Sequence, residues 1–274
     1  MQLLSIPTDH NFSDYLACGI DGFLFPLEDF SCDFFSFFSL DEIKKFREEK
    51  STVPCFIIMN KMIENKDLDC LRKTLIELDA IKIDGVYFYD LAILQMKSEE
   101  SCSIPLFLFQ THMVTNSKTL NFYQKYGVSG AFLSNEITFE EMKKIAQGTS
   151  CSLTGLLVGY PVVAMSKRKL LSNLSMKSPL TIKEPKYEQK YFVLEGKEGT
   201  SFLYGKRFNA SFVYSELKGI LIYGVLKQDD FTTDTYCEVI RHYKNFNQER
   251  VDALVGRNRG FFYRKSIYLS LIHI

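Results

Sequence analysis

The chain has little that would tie it to a charged partner, a membrane or a metal. Its 33 basic and 33 acidic side chains cancel over 274 residues, which removes the long-range attraction that draws a protein to DNA or to an anionic membrane surface. No apolar run reaches the 18 or more residues of a spanning helix; the most apolar stretches, 33–40 and 104–109, are only strand-length. Met1 to Pro7 supply neither a basic leader nor a long apolar segment, so the start does not read as a secretory signal and the chain reads as cytoplasmic. Cysteine is present without order. The seven, at 18, 32, 55, 70, 102, 151 and 237, are odd in number and never spaced CxxC, which argues against a disulfide framework or a zinc knuckle and for buried thiols. There is no HExxH and no GxSxG, so neither a zinc protease nor a nucleophile-elbow hydrolase is indicated.

What is present is a repeated unit: a short apolar run, a turn, then an amphipathic helical pattern. The runs fall at 3–6, 22–27, 53–60, 85–89, 104–109, 130–133 and 153–159, with helical patterns at 13–18, 40–50, 66–80, 91–98, 117–126 and 139–147. The runs are continuously apolar rather than alternating, as parallel strands covered on both faces require. Ser39 with Glu42, and Thr138 with Glu141, are capping-box starts. Gly19 and Gly127 close helices where a left-handed residue is needed. Seven βα units ask for an eighth strand, found at 219–226 and followed by a helical pattern at 232–245. The expected fold is an α/β, TIM-like (β/α)8 barrel. Residues 1–160 form its first seven units, 161–218 an insertion after the seventh strand, 219–246 the last strand and helix, and 247–274 a C-terminal extension with a possible closing strand at 260–263 and 266–269. The insertion carries the basic segment 165–169 and aromatic strand patterns at 190–194 and 201–203.

The order of several motifs resembles the peptidase U32, or collagenase-like protease, family. They are Leu3-Leu4-Ser5-Ile6-Pro7, Gly19-Ile20-Asp21-Gly22-Phe23, Thr115-Asn116 heading a helix, Leu133-Ser134-Asn135-Glu136-Ile137-Thr138, and Gly159-Tyr160-Pro161 followed by 166–173, Glu195 and Gly199-Thr200. The resemblance implies a barrel, a peptidase name, and members that look like iron–sulfur proteins supporting hydroxylation of tRNA or rRNA bases or of a quinone precursor. Those members place cysteines after the seventh strand. Here Val162 and Lys169 stand at the matching positions and no cysteine lies between 152 and 236, so no iron–sulfur cofactor is expected. The chain is closest in pattern to the short, cysteine-poor bacterial members. Residues 269–274 fit no part of the pattern and read as a translated sequencing adaptor, so His273 carries no weight.

Barrel chemistry sits at the C-terminal ends of strands. That rule selects Pro26, Glu28, Asn60, Asp90, Gln110, His112, Asn135, Glu136 and Tyr160. Glu136 with His112 is the candidate acid/base pair; the alternative is that His112 is a hydrogen-bonded structural group and Glu136 pairs with Arg168 or Lys169. Ser166, Lys167, Arg168, Lys169 and Asn173 would hold a phosphate or carboxylate, or else form a solvated helical face. Asn116 is a candidate positioning group. No metal is expected. Tyr187, Tyr191, Tyr204, Phe208, Phe212 and Tyr214 beside Lys186, Lys190, Lys206 and Arg207 would stack RNA bases or form a small sheet packed on the barrel. The resulting expectation is a U32-like protein binding a peptide or RNA-linked substrate at the barrel mouth. A base-hydroxylation factor without its own cluster and a non-catalytic partner subunit are the alternatives.

Overall fold

In the computed structural model, which describes residues 1–110, 114–186 and 188–263, eight parallel strands close into a barrel. In chain order they are β1 (Gln2–Ile6), β2 (Gly22–Pro26), β3 (Cys55–Met59), β4 (Gly85–Phe88), β5 (Leu106–Leu108), β6 (Val128–Phe132) and β7 (Ser152–Gly159), with β13 (Tyr223–Lys227) arriving late to fit between β7 and β1. Every neighbouring pair is parallel, and the β6 to β7 pairing closes the ring. The expected (β/α)8 fold is the observed one. β2, β3 and β4 are buried at every position, which is why their sequences do not alternate.

Helices α1 (Phe12–Cys18), α2 (Leu40–Glu49), α3 (Leu68–Ala80), α4 (Ala92–Glu99), α5 (Ser117–Gln124), α6 (Phe139–Gln147) and α9 (Thr233–Lys244) alternate with the strands. Both capping boxes form, at Ser39 on α2 and Thr138 on α6, and Gly19 ends α1 with φ 115°. The barrel interior is filled by aromatic rings, which replace the branched aliphatic layers of many barrels. Tyr87 stacks on Phe107 at 4.8 Å, Phe56 meets both edge-on, and the Tyr87 hydroxyl shares a 2.6 Å hydrogen bond with Thr154.

Between β7 and β13 the chain builds a four-stranded antiparallel sheet in the order β8 (Val162–Ser166), β11 (Gly199–Tyr204), β10 (Lys190–Gly196), β9 (Leu180–Lys183), with α7 (Leu170–Asn173) after β8. Then β12 (Phe208–Asn209) pairs antiparallel with the end of β7, and α8 (Tyr214–Leu217) leads into β13. The last strand therefore begins at Tyr223, four residues later than the apolar run suggested. Residues 218–221 instead turn back on α8, with Leu221 N–H donating to Leu217 O, and strand pairing starts only where Gln2 and Thr154 offer partners. After α10 (Gln248–Val255), residues 261–263 form a turn rather than a strand, and Phe262 packs against Phe139 and Phe208. Residues 266–269 and His273 lie outside the described residues. Among the described residues no helix is long and apolar enough to cross a membrane.

Candidate functional site at the barrel mouth

The C-terminal ends of the barrel strands open into a cavity of about 450 Å³. Its floor and walls are Ile6, Phe34, Phe109, Phe132 and Leu156, and its polar groups are Asp33, Asn60, Tyr89, Asn135, Glu136 and Lys227. The roof is β8: the consecutive residues Val162, Val163, Ala164 and Met165 all line it. Four consecutive residues of this strand thus contribute to the lining. β8 is an outermost strand of its sheet, paired only with β11, and Val163 is the extra residue at an irregularity in that pairing.

Three arrangements hold the mouth in shape. Asn60, at the end of β3, accepts from Cys32 N–H at 2.9 Å and donates to Cys32 O at 3.1 Å and to Asp33 at 3.4 Å. This fixes a loop in which Asp33 takes φ 70°. The Asp33 carboxylate also accepts from Ser201 on β11, joining barrel to sheet. Burial is the main force pushing the Cys32 thiol up, with Asp33 adding to it, so Cys32 behaves as a neutral packing group against Met165 Sδ, 3.6 Å away. At the other side Arg207 lies between the rings of Tyr160 (4.5 Å) and Phe231 (3.7 Å) and pairs with Asp230, fastening the turn from β7 to β8. Burial raises the Tyr160 phenol well above its ordinary range despite Arg207.

Lys227, the last residue of β13, enters the cavity from below. Its side chain is 8% exposed, and Nζ lies 3.4 Å from Asp229 Oδ1 and 3.3 Å from Tyr160 O. Gly159 makes the passage: with φ +150°, a Cβ there would sit 2.7 Å from Lys227 Cδ.

Of the residues selected from sequence, Glu136, Asn135 and Asn60 line the cavity. His112 lies outside the described residues, as does Tyr187. Tyr160 contributes its backbone, N–H to Asp229 at 2.8 Å and O to Lys227. Asn116 caps α5, accepting from Thr119 N–H at 2.9 Å. Ser166 accepts from Arg168 N–H at 3.2 Å. Arg168, Lys169 and Asn173 are exposed on the turn and short helix beyond β8, and Lys167 pairs with Glu64 at 2.8 Å. Lys227 and Asp33 escaped the sequence reading. The signal for Lys227 was a charged residue ending an apolar strand at its mouth end.

Glu195, noted in sequence only for its place in a motif, gathers the N-terminus of α7: it accepts from Leu171 N–H at 2.7 Å, Ser172 N–H at 3.0 Å, the Ser172 hydroxyl, and Thr200 Oγ1 at 3.0 Å. Lost solvation works against the charge, but the Ser172, Thr200 and backbone donors outweigh it and hold the carboxyl below its usual range. A carboxyl depressed on folding stabilises above its unfolded value, and that contribution disappears as pH falls through the folded value. Hydrogen-exchange protection of the Leu171 and Ser172 amides is therefore expected to fall once pH drops below the ordinary carboxylate range. Glu195→Gln should show the weaker protection already at neutral pH, with no further acid step.

An aromatic-filled eight-stranded barrel, roofed by an inserted sheet after strand seven, defines a TIM-like protein with a ligand-sized mouth. The chain belongs to peptidase family U32, whose family profile matches residues 9–181. Among solved structures it is similar to the U32 peptidase Mk0906, at 14% identity and a TM-score of 0.50, over 58% of this chain and 70% of that one. It also aligns with a chain of the tryptophan synthase a2b2 complex from Pyrococcus furiosus, at 14% identity and a TM-score of 0.49, over 93% of this chain and 98% of that one. No curated protein sequence matches. Of the two positions where the resembling members carry cysteines, Val162 lines the cavity and Lys169 precedes α7.

Proposed function

We propose that this U32 member binds an extended peptide segment across the barrel mouth, its backbone added along the open edge of β8 and one side chain lowered into the cavity. The observation that carries the reading is the roof itself: four successive residues of β8, an outermost strand of its sheet, line the cavity, and an unpaired strand edge recognises extended backbone by main-chain hydrogen bonds while a neighbouring pocket selects the side chain. The largely apolar walls suit an apolar side chain. Glu136 at the rim is the carboxylate placed to handle a proton, and Asn135 and Asn60 are polar positioning groups. Arg168, Lys169 and Asn173, beyond the far end of β8, are placed to meet flanking residues of the segment. An RNA-linked substrate finds less support, because Lys167, Arg168 and Lys169 do not line the cavity and Lys167 is engaged by Glu64.

The test is affinity for a peptide selected from a random decapeptide library, read by fluorescence anisotropy. Val163 is exposed, so Val163→Asp should leave the melting temperature unchanged while weakening binding at least tenfold, about 1.4 kcal/mol. Amides of β8 should exchange more slowly in the complex. Equal affinity of wild type and Val163→Asp, with β8 exchange unchanged, would remove β8 as the docking edge.

A further inference from the structure

We propose that Lys227 is a reactive amine, and that the mouth cavity accepts a small aldehyde or ketone whose carbonyl carbon condenses with Lys227 Nζ while Asp229 carries the protons. This stands apart from the peptide reading and survives its failure.

The geometry is that of a built site. Lys227 ends a barrel strand at the mouth, where barrel chemistry is housed, and its side chain is more than nine-tenths buried. Two features of the backbone exist to place it. Gly159 leaves out the Cβ that would collide with the lysine chain, and Asp229 takes φ 48°, in the left-handed region that aspartate enters more readily than most side chains. Asp229 is itself 2% exposed. One of its oxygens is committed to Tyr160 N–H at 2.8 Å, and the other faces the amine.

The amine is only loosely held. Its contacts, 3.3 Å to Tyr160 O and 3.4 Å to Asp229, are long beside the roughly 2.7–2.9 Å of a charge-assisted bond. On the cavity side the Phe34 ring centroid lies 5.3 Å from Nζ. A lysine amine that faces both a ligand-sized cavity and a carboxylate able to take its proton has the parts that nucleophilic attack on a carbonyl needs. Lys61 is the contrast within the same molecule. It is equally buried, but it faces two carboxylates, Glu198 at 3.0 Å and Asp67 at 3.3 Å, and it borders the cleft beside Glu64 rather than the mouth cavity. It reads as a tie between barrel and sheet.

The step is balanced without oxidant or reductant. The ammonium gives a proton to Asp229 Oδ1, and the free amine attacks the carbonyl carbon. As the N–C bond forms, the C=O π pair moves to oxygen, and a proton passes from the now cationic nitrogen to that oxygen. The resulting carbinolamine loses its hydroxyl as water on the proton returned by Asp229, the nitrogen lone pair forms the C=N bond, and a protonated imine is left on Lys227 beside the Asp229 carboxylate.

The experiment uses the whole wild-type chain, with propanal and, separately, benzaldehyde as limiting probes, and sodium cyanoborohydride to trap any imine as a secondary amine. Peptide mapping by mass spectrometry locates the adducts over time. Lys227 should be alkylated at least tenfold faster than the exposed Lys45, with Lys61 unmodified. Asp229→Asn, if folded by its melting curve, should slow Lys227 at least tenfold and leave Lys45 unchanged. Adducts that simply follow solvent exposure, with Lys227 no faster than Lys45, would overturn the proposal whatever the variant does. Since the peptide reading is scored by Val163→Asp affinity, the two can fail separately.

Discussion

Replacing Gly130 by alanine is expected to destabilise the protein by about 3 kcal/mol or more, near the upper end for overpacking substitutions. Gly130 lies on β6 opposite Ser152 of β7, at the pairing that completes the ring. A Cβ built there falls 2.2 Å from the Ser152 carbonyl oxygen and 2.8 Å from Cδ1 of Phe107. The ring cannot move aside easily, because Phe107 is stacked on Tyr87 inside the barrel and also presses on Gly85, where a Cβ would meet Cε2 at 2.6 Å. The carbonyl cannot move without disturbing the strand pairing. One methyl group therefore opposes both the interior packing and the closure. Thermal unfolding should shift down by roughly 6–12 °C for a chain of this size. Gly127 supplies the control. It has φ +84° but nothing within 4 Å of its missing Cβ, so Gly127→Ala should cost only the backbone strain of about 1–2 kcal/mol. Equal losses at the two positions would mean that contact with Phe107 and Ser152 is not what excludes a side chain at Gly130.

The same packing explains which parts of this molecule could be read from sequence. β2, β3 and β4 are buried on both faces, so their burial is written directly as uninterrupted apolar residues, and the helices between them announce themselves by Ser39 and Thr138 with their glutamates. β8 and β9 were not legible. Their residues are mostly exposed, and they are strands because β11 and β10 offer them a ladder, a partner choice that local composition does not record. The strand-end rule found Asn60, Asn135 and Glu136, which do share the mouth. It did not find Asp33, which reaches the cavity from a loop held by Asn60 and not from a strand end. The three consecutive cations at 167–169 drew attention by their density, yet the lysine that enters the cavity is a single residue whose significance depends on Gly159, 68 positions earlier. Such a pairing has no local signature.

That pairing leads to the second large effect. Lys227→Met keeps much of the side chain's volume in the cavity but leaves the Asp229 carboxylate, 2% exposed, with Tyr160 N–H and no cation. Breaking a buried ion pair from one side costs about 3–5 kcal/mol, because the surviving charge has lost its compensation in a poorly solvated place. Asp229→Asn should cost less: the amide oxygen still accepts from Tyr160 N–H, and the stranded lysine is long enough to shift its amine toward the rim and water. The double variant, Lys227→Met with Asp229→Asn, removes both charges and should recover at least 1–2 kcal/mol of the sum of the two single losses. Urea denaturation of the four proteins measures this directly, with equal m-values required so that the comparison concerns stability alone. Strict additivity would mean that the 3.4 Å contact between Lys227 and Asp229 carries no coupling. The amine would then be anchored by the Tyr160 carbonyl and the apolar walls, and Asp229 would be positioned for the backbone of Tyr160 rather than for proton exchange with the lysine.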